Sequence, residues 1–221
     1  MSGKEQTQAG GHWYSVIDGK LRRKVEKDTP GAVMREWKVK DKSGVKYEIL
    51  YNALFGTIQN IEIRDGEYGQ QIVIELDEDD DGNKPLIGLS VKSRYGADFL
   101  KKLPNIKLDQ EVRLMPFQFE DDNGKERIGL SVAHKDENDK FNVKVENFFG
   151  KDSNVSGFPN PSEDAKEKWT SDDWQNYFGY QLPKFLVKYA EENILSKFHV
   201  EPAKVDYPEE KSIDPDAIPF N

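Results

Sequence analysis

Apolar and polar residues alternate through most of the first 150 positions. Ile72, Ile74 and Leu76 fall on one side of an extended run, as do Ile87, Leu89 and Val91, then Val112 and Leu114, then Ile128, Leu130 and Val132, then Phe141, Val143 and Val145. A period of two puts one face of a strand in a core and the other in water. The outward partners include Gln71, Lys92, Arg94, Arg113, Arg127 and Lys144. Gly, Asp and Asn clusters punctuate the runs as turns.

From Leu54 to Phe149 the runs are LFGTIQNIEIRDG, YGQQIVIELDEDDDG, PLIGLSVKS, a helical ADFLKKL, EVRLMPFQFEDDNG, ERIGLSVAHKD and KFNVKVENFF. Three strands, a helix and two strands is the order of a five-stranded OB barrel, here with one strand appended. Before it, His12–Val16 and Leu21–Val25 flank an Asp18-Gly19 hairpin signal. Two further strands are expected over Ala32–Lys40 and Val45–Tyr51. The expected class is therefore mainly β: an OB-fold five-stranded barrel with an added N-terminal β-sheet and a C-terminal helical extension.

Three local features refine the barrel. Pro116 cannot donate to a ladder, so it predicts an edge or a bulge, with at least one of Phe117 and Phe119 in the core. Gly88 and Gly129 occupy matched places in LIGLSV and RIGLSV, where a tight bend is expected. Asp77-Glu78-Asp79-Asp80-Asp81-Gly82 opens like a calcium loop, but the twelfth position is Gly88, not the bidentate Glu such a loop needs. A solvated hairpin loop is expected instead.

Residues 151–168 read as linker. Thr170 is an expected helix N-cap with Asp173 three residues on; that helix should end near Gly179. Pro183 should open a longer one to about Phe198. Leu186, Ala190, Ile194 and Phe198 recur at four-residue spacing beside Val187 and Leu195, so one face is apolar. Either the barrel or another subunit covers it, which leaves a homo-oligomer open.

Composition adds limits. Among 221 residues there is no cysteine, which excludes disulfides, thiol catalysis and cysteine-bound zinc and fits a reducing cytoplasm. No run approaches the ~18 apolar residues of a membrane span, and MSGKEQTQAGG lacks the apolar core of a signal peptide. The net charge is −9 but unevenly spread. Residues 1–50 carry 11 Lys/Arg against 7 Asp/Glu, residues 51–150 carry 13 against 20, and residues 151–221 carry 8 against 14. The basic front also interleaves aromatic rings: Trp13, Tyr14, Arg22, Arg23, Lys24, Arg35, Trp37, Lys38, Lys40, Lys46, Tyr47 and Tyr51. Cations tracking phosphates and rings stacking on bases are the chemistry of single-strand binding. Lys92, Arg94 and Arg113 are expected to form a second wall. His12, His134 and His199 share no metal-ligand spacing, and no phosphate loop or nucleophile elbow occurs. No catalytic residue, metal or cofactor is assigned, although a carboxylate-based metal nuclease and a protein–protein adaptor are the rival readings.

The chain closes on an acidic, proline-punctuated tail whose end is Asp214-Pro215-Asp216-Ala217-Ile218-Pro219-Phe220. This end resembles the acidic tip of bacterial single-stranded DNA-binding proteins, and the added front sheet and C-terminal helices resemble the bacteriophage-type members. The resemblance implies that Asp214 and Asp216 meet basic partner residues while Ile218, Pro219 and Phe220 fill an apolar pocket. Asn221 follows and displaces the carboxylate by one residue. Four stretches result: a disordered lead-in (1–11), an OB-fold nucleic-acid-binding domain with its front extension (12–150), a linker and helical extension (151–200) and a partner-binding tail (201–221). The expected function is to bind and protect single-stranded DNA in replication, recombination or repair, in the cytoplasm (the host's, if viral), recruiting replication or repair proteins through the tail.

Overall fold

The structure, a computed structural model, describes residues 11–39, 42–66, 69–79, 81–150 and 153–198. The tail, and the lead-in apart from Gly11, lie outside the described residues. Strands β1 (Gly11–Ile17), β2 (Lys20–Val25), β3 (Val33–Val39) and β4 (Lys42–Tyr51) form the front. They are followed by β5 (Leu54–Gly66), β6 (Gly69–Leu76), β7 (Lys84–Ser90), helix α1 (Arg94–Lys102), β8 (Glu111–Glu120), β9 (Glu126–His134) and β10 (Val143–Lys144). All ten strands join one mixed sheet in the order β10-β9-β8-β5-β6-β7-β1-β2-β4-β3. The chain is mainly β, as expected, and the front strands continue the same sheet.

The expected closed barrel is not present as a ring of hydrogen bonds. β5 pairs with β6 on one side and β8 on the other. Closure would need β7 to pair with β9, and no such pairing occurs among the described residues. The free edge of β7 is taken by β1, in parallel, from Gly11↔Lys84 to Ser15↔Gly88. The β1–β2 turn then reaches β8. Asp18 and Gly19 are both left-handed, at φ 51° and 69°, as the two-residue hairpin requires. Gly19 N donates to Tyr95 Oη at 2.8 Å, and Tyr95 Oη donates to Gln118 Oε1 at 3.2 Å. The front hairpin thus bridges from β7 to β8.

β5 serves two partners because it bends. Its register with β6 slips between Ile58 and Asn60, a bulge that increases local twist. Gly56 sits at φ +151°, and a Cβ there would lie 2.4 Å from Asp77 Oδ1, the atom that accepts from Thr57 N. Only glycine allows that carboxylate to hold the bend.

The alternation fills the core as read. Ile72, Ile74, Leu76, Ile87, Leu89, Leu114, Leu130 and Val132 are buried, joined by Tyr14 and Leu21 from the front hairpin. α1 contributes Phe99 and Leu100 to this core, and Leu103, which caps its C-terminus, adds to them. Ser93 caps the helix at its other end by accepting from Gly96 N. Asp98 ties it to β9, accepting from Leu130 N at 2.7 Å and from Lys102 Nζ at 2.5 Å. His134 is a structural histidine: Nε2 accepts from Lys107 N, so Nδ1 donates to the Glu111 carbonyl.

Several expectations need correction. Of the alternating set Phe141, Val143 and Val145, only Val145 enters the core; Val143 is exposed, and Phe141 packs against Phe55. Both Phe117 and Phe119 point away from the core, because the buried face of β8 carries Val112, Leu114 and Pro116. Pro116 does take one of its two expected places, an edge: it lies beyond the last β5–β8 pair, with no bulge. Gly88 and Gly129 are not bends but seats for rings. A Cβ on Gly88 would lie 2.3 Å from the Trp13 ring, and one on Gly129 would lie 2.6 Å from Phe117.

Beyond the sheet, a short helix α2 (Glu163–Lys166) interrupts the linker. Helix α3 (Ser171–Asn176) starts on the expected capping box of Thr170 and Asp173. It does not stop at Gly179. A π-turn over Tyr177–Gln181 carries it directly into α4 (Leu182–Asn193). The apolar face of α4, through Leu186 and Ala190 and on to the C-cap Ile194, joins the same core as the sheet. Phe149, Phe158, Phe185 and Tyr189 pack around it in edge-to-face, tilted and stacked pairs, with centroids 4.8–6.2 Å apart. The helical extension is therefore covered by this chain's own body.

Candidate nucleic-acid interface

Strand register sorts the basic and aromatic residues of the front into two faces. Ser15 pairs Arg22, Arg22 pairs Leu50, Lys24 pairs Glu48, Arg35 pairs Lys46 and Trp37 pairs Gly44. Directly paired residues share a side of the sheet. Trp13, Arg22, Lys24, Lys46, Glu48, Arg35 and Trp37 therefore lie together, opposite the core. Tyr14, Arg23, Tyr47 and Lys38 occupy the other face.

That split changes the expected site. Tyr14 is 3% exposed and meets Tyr51 edge-on, with centroids 5.4 Å apart. Burial pushes its phenol up to about 12. It is a core residue, so its ring is not open to a base, a correction to the sequence expectation. Arg23 lies near the Tyr51 ring and touches His12 with Nη1. Its Nε is buried without a partner among the described residues. Lys38 is exposed and Tyr47 half-buried on the same side.

On the outer face the two tryptophans sit differently. Trp13, 37% exposed, lies against Gly88 with the Arg64 guanidinium 5.0 Å from its ring centre. Trp37 lies against Gly44, with Lys46 Nζ 5.5 Å from its ring centre. A cation over a ring face is attracted by the ring quadrupole. Each unit presents a flat ring beside a positive charge.

Between them lies a feature that local sequence did not single out. Glu48 is 3% exposed and accepts from Arg35 Nη2 at 2.6 Å, Arg35 Nε at 2.8 Å and Arg22 Nη1 at 3.2 Å. The Arg35 bonds chiefly, with Arg22 behind them, hold its carboxyl below the usual carboxylate range despite burial. Arg22 also meets Asp18 at 3.0 Å. These two arginines are thus fixed by acids, while Lys24 and Lys46 make no ion pair among the described residues. The alternation would have placed Glu48 beside Arg22 and Arg35 once the register was known. Arg64 comes from β5, and no short-range signal pointed to it.

The expected second wall is dispersed. Lys92 and Arg94 sit where β7 turns into α1, and Arg94 pairs with Glu126 at 3.5 Å. Arg113 lies on β8 opposite Phe55, separated from β1 in the sheet order by β5, β6 and β7. Lys92 and Arg94 instead line a groove of about 940 Å³ between α1, β9 and α3. The expected tail anchors, Asp214, Asp216, Ile218, Pro219 and Phe220, lie outside the described residues. Comparison with protein-family models, curated proteins and solved structures gave no match.

Proposed function

We propose that this protein binds single-stranded DNA with little sequence preference, through the outer face of the front sheet. The carrying observation is the shared face: Trp13 and Trp37, each beside a cation, flank Lys24, Lys46 and the arginines anchored by Glu48. Exposed rings accept stacked bases without reading them, and cations track the phosphates. The β5-β6-β7-α1-β8-β9 order, with β5 bonded to both β6 and β8, supports an OB-type body whose β7 edge is covered by the front hairpin. On this reading the protein is not an enzyme: it coats DNA during replication, recombination or repair, in a bacterial or viral setting. The acidic tail would recruit partners; that part rests on the resemblance of its last residues alone.

Single strands offer unstacked bases and duplexes do not. Labelled oligo-dT should therefore bind far more tightly than a duplex of equal length at the same salt, by fluorescence anisotropy. Equal affinity for the two would contradict stacking as the mode of binding. Cleavage of the oligonucleotide on adding Mg²⁺ would point to a nuclease instead.

A further inference from the structure

We infer that the groove between α1, β9 and the Trp174–Tyr180 segment is a second contact for the same single strand, taking nucleotides beyond those held on the front sheet. This rests on the single-strand reading above. Three large rings are exposed within seven residues: Trp174 at 37%, Phe178 at 50% and Tyr180 at 58%. Trp174 and Phe178 are close to parallel, 11° apart with centroids at 5.7 Å. Trp169 meets Trp174 edge-on at 4.6 Å and so holds it in place. Exposed rings fixed in a parallel pair form a stacking platform, whereas collapse onto the core would have hidden them.

The facing wall is cationic. Lys92, Arg94, Lys125 and Arg127 line the groove with Trp174 and Phe178. Its acids are already engaged. Asp98 holds Lys102 and the Leu130 amide, and Glu126 accepts from Gln118 and pairs with Arg94. Lys92 and Lys125 make no ion pair among the described residues. The volume, about 940 Å³, suits a ligand larger than one ring, since small-molecule sites span ~300–1,000 Å³. Arg94 and Arg127 are each paired, with Glu126 and Asp121, so rings on one wall and the ammonium groups of Lys92 and Lys125 on the other fit bases and phosphates together.

The groove is also reachable from the front sheet. Lys92 lines a neighbouring depression with Asp65, Gly69 and Gln70. Those residues lie at the β5–β6 end, next to Arg64, whose guanidinium stands over Trp13. A strand lying on Trp13 therefore has a route past Lys92 to Trp174.

The chain has four tryptophans, which makes the test direct. In the full-length Trp13→Phe, Trp37→Phe variant, only Trp169 and Trp174 emit. Titrating long oligo-dT, with binding followed independently by anisotropy, should quench that emission. Phe178→Ala in the native background should weaken long oligo-dT about tenfold, as losing one stacked base does. Binding without quenching, or unchanged affinity for Phe178→Ala, overturns the second contact and leaves the front-sheet site standing. Quenching by an acidic peptide but not by oligo-dT also overturns it, giving the groove to a protein partner. If oligo-dT does not bind the native chain, the single-strand reading falls and this inference with it.

Discussion

Replacing Glu48 with Gln should lower stability by about 3–5 kcal/mol, the cost of removing one partner from a buried charge cluster. Glu48 is nearly inaccessible and takes three hydrogen bonds from Arg22 and Arg35. Glutamine is the same size, so packing is kept while the negative charge is lost. Arg35 loses its acid, and Arg22 keeps only exposed Asp18. For a chain of this size ~1 kcal/mol moves the melting temperature by about 2–4 °C, so a fall of roughly 10 °C is expected by calorimetry. The pH dependence follows from the depressed carboxyl. Its contribution is fully present above the ordinary carboxylate value of about 4.3 and is lost as pH falls through the lower folded value. Denaturant melts of the native protein should therefore weaken across that acidic window, and Glu48→Gln should show a shallower slope there. A variant as stable as the native chain with an unchanged slope would refute the role given to Glu48.

Trp13→Ala should weaken oligo-dT binding by about 5- to 150-fold, the equivalent of ~1–3 kcal/mol per stacked base. The ring is exposed, so its removal leaves the core intact and the thermal transition close to native. Trp13→Phe should recover part of the loss, because it keeps a smaller π-face. Gly88→Ala supplies a second route to the same result. Its Cβ would stand 2.3 Å from the ring, so the indole must leave its seat although its chemistry is untouched. Loss of binding in both variants, with retained melting behaviour, identifies the seated ring as the contact. Native affinity in both removes Trp13 from the site.

The strands were legible because their faces are unequal. Period-two runs such as Ile72-Ile74-Leu76 reach the core as read, and Asp18-Gly19 forms the expected turn because both residues tolerate positive φ. The Thr170–Asp173 capping box was equally local and equally readable. What the residues did not reveal depends on distant pairing. Parallel docking of β1 on β7 joins segments some 70 residues apart, and it replaced the ring closure expected of a barrel. The same register sent Tyr14 inward and Trp13 outward, a choice no composition argument makes. Gly179 has the residue type of a helix end, yet the helix continues through a π-turn because Leu182 and Leu186 beyond it are held in the core. Trp174 and Phe178 are neighbours four residues apart on one helical run, but the groove partner Phe117 comes from β8, so only the folded chain brings it to them.

In the proposed function, rings and cations on one outer face hold a single strand. Titration of the native protein with oligo-dT, following tryptophan emission at rising salt, addresses it most directly. Emission should be quenched, and log affinity should fall linearly with log salt, by about 0.7 for each phosphate neutralised. Quenching absent at low salt, or an affinity indifferent to salt, would contradict the account.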